Sequence, residues 1–413
     1  MKHHYRLPLR RTPPGGSDYA LALLLALGGA LPASAADAPA PAEEAPPLAS
    51  SVPDKADTAL GKVTVTARRR EEDSQKVPTP ITVLGGETLE AQRISRVQDL
   101  QQVLPSVNVA YIHARQSSVA VRGIGNNPAS DGLEGSAGIY LDNVYLGRPG
   151  MAVFDLLDIE QLELLRGPQG TLFGKNTTAG VLNISTRAPT FTAERTVEVS
   201  GGQDGYFQGR GTVSGPLGET LAGRLSAYRT RDDGYIKNIH DDNYLNGGER
   251  QGARGQLLFE PNEDFSLRWI ADYNEEDSSN GSMVVYGGAE RFWQRAALVG
   301  ASPLRDPQRR KVNINGRQHV SVHQGGSSLE ANWNLAGGYR LTSISAYRYW
   351  HFTPANDEQL NVSAINDTGV EVHDRQFSQE IRLASPTGGA FDYVVGAYAF
   401  RQNLGNKIGR AHV

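Results

Sequence analysis

From residue 195 onward, apolar and polar positions alternate in runs of about ten residues, the period of a strand whose two faces meet different surroundings. Phe265, Leu267, Trp269, Ala271 and Tyr273 fall on one side, while Ser266, Arg268, Asp272 and Asn274 fall on the other. Nine such runs are legible, near 195–202, 206–215, 221–231, 251–260, 265–277, 327–335, 339–349, 374–385 and 391–400. Short links such as GPLGE, PNED and TGG alternate with long connections at 232–250, 278–326 and 351–373. Short turns on one side and long loops on the other mark an antiparallel transmembrane barrel, with the apolar side toward lipid. In FSQEIRLAS, Phe377, Ile381 and Leu383 share the outward parity, which turns Glu380 and Arg382 inward. Runs 339–349 and 391–400 alternate poorly, so their facing stays open.

Residues 74–190 read differently, as a compact α+β domain. PITVL at Pro80 to Leu84, VAVRG at Val119 to Gly123, GIYLDNVYL at Gly138 to Leu146 and IEQLELLRG at Ile159 to Gly167 are predicted strands. Ser95 and Gln98 form a capping-box pattern opening a helix that runs to Leu104 and stops at Pro105.

Ahead of this domain, Arg6, Arg10 and Arg11 precede an apolar run from Ala20 to Leu31 and the small residues Ala33 to Ala35. That is the layout of a signal peptide over 1–35. A membrane anchor is the other reading, but the run falls short of the ~20 residues a span requires. Residues 36–60, rich in Pro, Ala and acids without periodicity, form a disordered tether. GKVTVTA then opens the stretch 61–73, which reads either as a first strand or as an extended peptide ready to add to a partner's sheet.

Composition narrows the chemistry. The chain has 413 residues, a net charge of −4 and no Cys, so disulfides and thiolate metal sites are excluded. Near-neutral charge without a basic stripe gives no support to nucleic-acid binding. The glycine-dense RGPQGTLFGKNTTAG at 166–180 invites a phosphate-loop reading, but Gln169 stands where the first glycine of such a loop must be, and Asn176 replaces its hydroxyl. No cofactor is expected and no enzymatic constellation is visible.

Together VTVTARR, VPTPITVL, QDLQQVLPSVNV, VRGIG, GIYLDNVYLGR and FDLLDIEQLELLRGPQGTLFGKNTTAGVLNISTRAP resemble, in order and spacing, the plug of TonB-dependent outer-membrane receptors. The resemblance implies a plug followed by an incomplete antiparallel transmembrane β-barrel over 191–406, with about nine strands of an expected ~22. It makes Val63, Thr64, Val65, Thr66 and Ala67 the TonB box, the binding segment for the periplasmic energy-coupling protein. Gly123, Gly167, Gly170, Gly174 and Gly180 become tight plug turns, with Gly167, Gly170, Gly174 and Gly180 expected to take positive φ. Arg122 and Arg166 become halves of a plug-to-barrel lock, with a solvated surface charge the plain alternative for each. We expect Glu380 to lie opposite one of them, since an isolated buried carboxylate is costly.

Nine strands are too few to surround such a plug, so the chain is expected to be a fragment. KIGRAHV at 407–413 resembles a non-native adapter-derived tail, or a natural end in a loop. His319 and His323 are a weak metal pair without a third ligand, and HDDNYLNGG at 240–248 fails as a calcium loop because Leu245 replaces a ligand. Two function classes remain. One is TonB-dependent uptake of an extracellular ligand, such as a ferric siderophore, glycan, cobalamin or haem, across outer-membrane lipid. The other is a binding or signalling receptor on the same scaffold.

Overall fold

The computed structural model describes residues 64–66, 69–70, 72–125, 131–298, 300–305, 307–355, 370–389 and 391–408. The expected signal peptide and tether, together with Val63 and Ala67, lie outside the described residues.

The N-terminal domain is built on a mixed sheet. Its strands are β1 (Ile81–Gly85), β4 (Ala137–Leu141), β5 (Val144–Leu146), β6 (Ile159–Arg166) and β7 (Gly180–Thr186), in the order β1-β6-β7-β4-β5. β2 (Val107–His113) and β3 (Gln116–Val121) form a separate hairpin. The middle strands carry near-continuous apolar runs because both of their faces are covered: Leu162, Leu164, Leu165, Val181, Leu182 and Ile184 are all buried. β7 and β4 run parallel.

The sequence differs from the structure here in three places. Gly138 to Leu146 is two strands, because Asp142 and Asn143 both take positive φ, 46° and 64°, and turn the chain into a hairpin. The helix expected after Ser95 is the 3-10 segment Val97–Gln102. Its cap is Asp99, whose carboxylate accepts the N–H of Arg96 at 2.9 Å and of Ser95 at 3.2 Å, so Gln98 is not the capping partner. A short helix, α1 (Gly86–Ala91), follows β1 directly.

Every one of the nine alternating runs is a strand. They are β8 (Glu194–Gly201), β9 (Phe207–Pro216), β10 (Leu221–Asp232), β11 (Gly248–Asn262), β12 (Phe265–Ser278), β13 (His319–Leu335), β14 (Tyr339–Ala355), β15 (Val370–Ala384) and β16 (Val394–Ile408). Each pairs antiparallel with its sequence neighbour in one nine-stranded sheet whose ends are β8 and β16. From β11 onward the strands outrun the runs read from sequence, chiefly at the end carrying the long connections. There, polar strand residues such as those of His319–Ser328 read as loop.

Even-numbered positions face the N-terminal domain throughout this wall. Odd positions such as Val197, Trp269, Tyr273, Trp333, Tyr347, Phe377 and Ile381 are exposed on the other face, as the alternation predicts. Val320, Val322, Trp350, Phe352 and Val372 are fully buried in the same core as Leu100, Met151 and Leu162 of the enclosed domain. Part of the long connections adds a small sheet of Tyr244–Leu245, Ile236–Asn238 and Lys311–Val312 around Ile236, Leu245, Val312 and Ile314.

Candidate functional site

The segment expected to couple the protein to its partner is folded back on its own chain. Thr64 and Val65 pair antiparallel with Asp73 and Glu72. Val65 is fully buried beside Tyr140, Leu165, Phe173 and Val181. Thr66 donates its backbone N–H to Glu163 Oε1 at 2.7 Å, and its hydroxyl lies 3.2 Å from both carboxylate oxygens. Glu163 sits in the middle of β6 with no exposed surface. Burial pushes its carboxyl up from the ordinary value, while the Thr66 N–H and the Asn183 amide work in the opposite direction.

The turn after this segment reaches the wall. Arg69 has φ 61° and a side chain only 6% exposed. Its guanidinium lies 4.3 Å from the Phe173 ring centre and 5.1 Å from that of Tyr140. Its Nε donates to Leu172 O at 3.4 Å, and its Nη1 to Asn143 Oδ1 at 3.2 Å. Burial lowers its pKa from the usual value, and Glu380, 3.9 Å away, opposes that shift. Arg70 donates to Tyr393 O on the wall side. The glycine-dense loop therefore has a job other than phosphate binding. Helix α2 (Gly170–Phe173) supplies both the ring and the carbonyl that seat Arg69. A 230 Å³ cavity lies between Arg69, α2, Glu380 and Tyr398.

The lock expected at Arg122 and Arg166 is corrected. Glu380 does face inward, but its partners are Arg382 at 3.1 Å and Arg69 at 3.9 Å. Arg122 is exposed in a turn with φ 54°, and Arg166 donates to Ser106 Oγ at 2.9 Å. Among the described residues neither arginine has an ion pair.

The shortest buried ion pairs between domain and wall run with the opposite polarity, from carboxylates of the enclosed domain to arginines of the wall. Asp155 meets Arg250 at 3.0 Å and accepts from Thr230 at 2.7 Å. Asp158 meets Arg224 at 2.6 Å and accepts from Ser226 at 2.7 Å. Asp142 lies 3.8 Å from Arg268. In the other direction, Arg93 pairs with Glu198 at 3.0 Å, and Arg148, held within its own domain by Asp131 at 3.1 Å, reaches Asp374 at 3.8 Å. Gln376 accepts from the Gly147 N–H at 3.0 Å. The aspartates lie in DNVYLG and FDLLDIEQ, strings legible in sequence, but nothing local marks an Asp as facing wall residues 66 and 95 positions further along the chain.

The glycine turns divide. Gly123, Gly167 and Gly174 have φ of 77°, 87° and 73°. Gly180 is needed for space, since a Cβ there would stand 2.4 Å from Leu165 O. Gly170 is corrected: it begins α2 with no positive φ and open space where a Cβ would be.

Residues 73–181 match the family model described as TonB-dependent Receptor Plug Domain. The chain is 30% identical over 174 residues to the vitamin B12 transporter BtuB of Photobacterium profundum, a match covering 42% of this chain and 28% of that one. It is 30% identical over 162 residues to the pesticin receptor of Yersinia pestis, covering 38% and 23%. Among solved structures it resembles the ferric yersiniabactin uptake receptor FyuA of Yersinia pestis, with TM-score 0.66, 22% identity, and 80% of this chain against 50% of that one. The ferripyoverdine receptor of Pseudomonas aeruginosa gives TM-score 0.67 at 18% identity, with 84% and 45% covered. The chain thus spans about half the length of these receptors. All four of these proteins are transporters or receptors.

Proposed function

Because the chain belongs to the TonB-dependent receptor family, we propose that the full-length protein imports a scarce ligand across the outer membrane of a Gram-negative bacterium. TonB in the periplasm supplies the pull, and a ferric siderophore is the cargo class. The observation that carries this reading is the Thr64–Thr66 segment, a short strand held by its own hairpin and by a buried carboxylate. Once freed, its backbone donors and acceptors fit addition to a partner's sheet edge. A pull there acts first on Arg69, whose seat joins the plug loop to wall residue Glu380.

Siderophore cargo is favoured because the solved receptors with this fold include those for yersiniabactin and pyoverdine. Cobalamin is the second reading, favoured by the 30% identity to a vitamin B12 transporter. A signalling receptor shares the same plug and differs in what the released box does.

The test uses the full-length receptor in cells lacking competing receptors. Uptake of a panel of radiolabelled ferric siderophores and of labelled cyanocobalamin is measured with and without TonB. Uptake that needs TonB and is lost in Val65→Pro supports the proposal, because proline removes a strand donor. Ligand accumulation that is unchanged without TonB overturns it. Saturable cyanocobalamin uptake without siderophore uptake reassigns the cargo.

A further inference from the structure

A cluster of donors lies on the outer face of the wall, away from the plug and its seat. His351 on β14 and His373 on β15 are paired residues in the sheet register, with ring centres 3.9 Å apart. Glu371 stands two positions before His373, on the same face. His351 Nε2 is 3.2 Å, and His373 Nε2 2.9 Å, from a single oxygen, Glu371 Oε1. The donor atoms of all three residues lie within 4.8 Å of one another. The side chains are 34%, 28% and 47% exposed for His351, Glu371 and His373, so a solute reaches them.

We propose that His351, Glu371 and His373 bind a borderline divalent metal ion, with Zn²⁺ the type case, at the wall end that carries the long connections. Two imidazoles and one carboxylate suit zinc, copper or nickel far better than the all-oxygen cations. Three protein donors leave a coordination position open to water or an external ligand. All three come from paired strands, so the backbone presets their spacing and little ordering is needed on binding.

A hydrogen-bonded triad without metal is the plain alternative. Lys407, 3.8 Å from Glu371 Oε2, supports that alternative by supplying a cation of its own, although it leaves Oε1 to the histidines. The Thr353 hydroxyl, 3.2 Å from His351 Nε2, is a further partner in that alternative; for the metal site stands the convergence of both Nε2 atoms and a carboxylate oxygen within 4.8 Å of one another. The histidine pair suggested by sequence does not form the site: His319 pairs with Asp277 at 3.6 Å. His323 is also occupied, with Tyr273 at 3.0 Å on Nδ1 and Ser321 at 3.2 Å on Nε2.

The test is a Zn²⁺ titration of the full-length receptor in detergent, stripped with chelator, against a chromogenic competitor. One tight equivalent is expected, weakened at least ~10-fold in each of His351→Gln, Glu371→Gln and His373→Gln. His319→Gln and His323→Gln should leave it within ~3-fold, and excess Ca²⁺ should not displace it. Equal binding by wild type and the triple variant, or displacement by Ca²⁺, overturns the proposal. Where a variant misfolds, X-ray absorption at the zinc edge of the wild type decides. Two imidazole nitrogens in the coordination shell uphold the site, and an oxygen-only shell refutes it.

Discussion

The Glu163 carboxylate accepts the Thr66 backbone N–H at 2.7 Å, tying the candidate coupling segment to the interior strand β6 of the plug. Replacing Glu163 with Leu leaves that N–H and the Thr66 hydroxyl without their acceptor, at a cost of about 1–3 kcal/mol. The segment should then exchange its amides roughly 5- to 100-fold faster, with the rest of β6 little changed. Hydrogen exchange followed by mass spectrometry reads this directly. Unaltered protection of 64–66 would show that the hairpin with 72–73 holds the segment alone.

Arg69 and Glu380 connect the same segment to the wall. Arg69→Ala removes the stack on Phe173, the carbonyl contact and the ion pair together, whereas Glu380→Gln removes only the last. The first should therefore release 64–70 more than the second, and Arg122→Ala should have no effect beyond ~0.5 kcal/mol, as for exposed charges. Thermal unfolding of the full-length receptor in detergent ranks the three. Equal effects would place the lock back at Arg122.

Asp155 meets three side chains of the wall, Arg250, Thr230 and Gln208. Asp155→Asn leaves the buried Arg250 with only its longer pair to Asp232 at 3.6 Å, and up to about 3–5 kcal/mol of plug docking should be lost. Arg250→Met combined with Asp155→Leu should cost clearly less than the sum of the single changes. Additive losses in a double-mutant cycle would show that the two residues do not act as a pair.

His113 at the tip of the β2–β3 hairpin is buried, and its ring lies 5.2 Å from that of Phe352. Burial, reinforced by Arg115, pushes its pKa down to about 4 from 6.5. Above pH 6.5 both folded and unfolded states hold a neutral ring, so no pH dependence arises there. Between about 6.5 and 4 the unfolded chain takes a proton that the folded hairpin refuses, so stability falls as pH falls and levels off below about 4. The full effect approaches ~3 kcal/mol. Amide exchange in 107–121 should rise from pH 7.5 to 5 after correction for intrinsic rates, and His113→Phe should remove that rise.

The glycines of the 166–180 stretch are not equivalent. Gly180→Ala drives a methyl into Leu165 O and should cost several kcal/mol, while Gly170→Ala extends α2 into open space and should be neutral or stabilising by up to ~1 kcal/mol. Equal thermal shifts in the two variants would contradict the packing seen at Gly180.

The residues by themselves determined the strand wall and most of its facing. A period of two is a local property, and Trp269 and Tyr273 declare their side without knowledge of any neighbour. They also determined that 166–180 lacks the Walker A pattern, since Gln169 and Asn176 are the wrong residues wherever the loop lies. Only the tertiary structure decided the facing of β14 and β16, since the inner positions of β14 mix Thr342, Ile344, Arg348 and Trp350, and those of β16 mix Gly396, Tyr398, Phe400 and Gln402, which hides the alternation. Antiparallel register settles both, because paired residues share a face and parity passes from β13 through β15. The tertiary structure likewise decided the polarity of the lock and the partner of Glu380. A charge pair depends on which two residues meet in space, and Asp155 and Arg250, or Arg69 and Glu380, meet only after the wall has wrapped the plug.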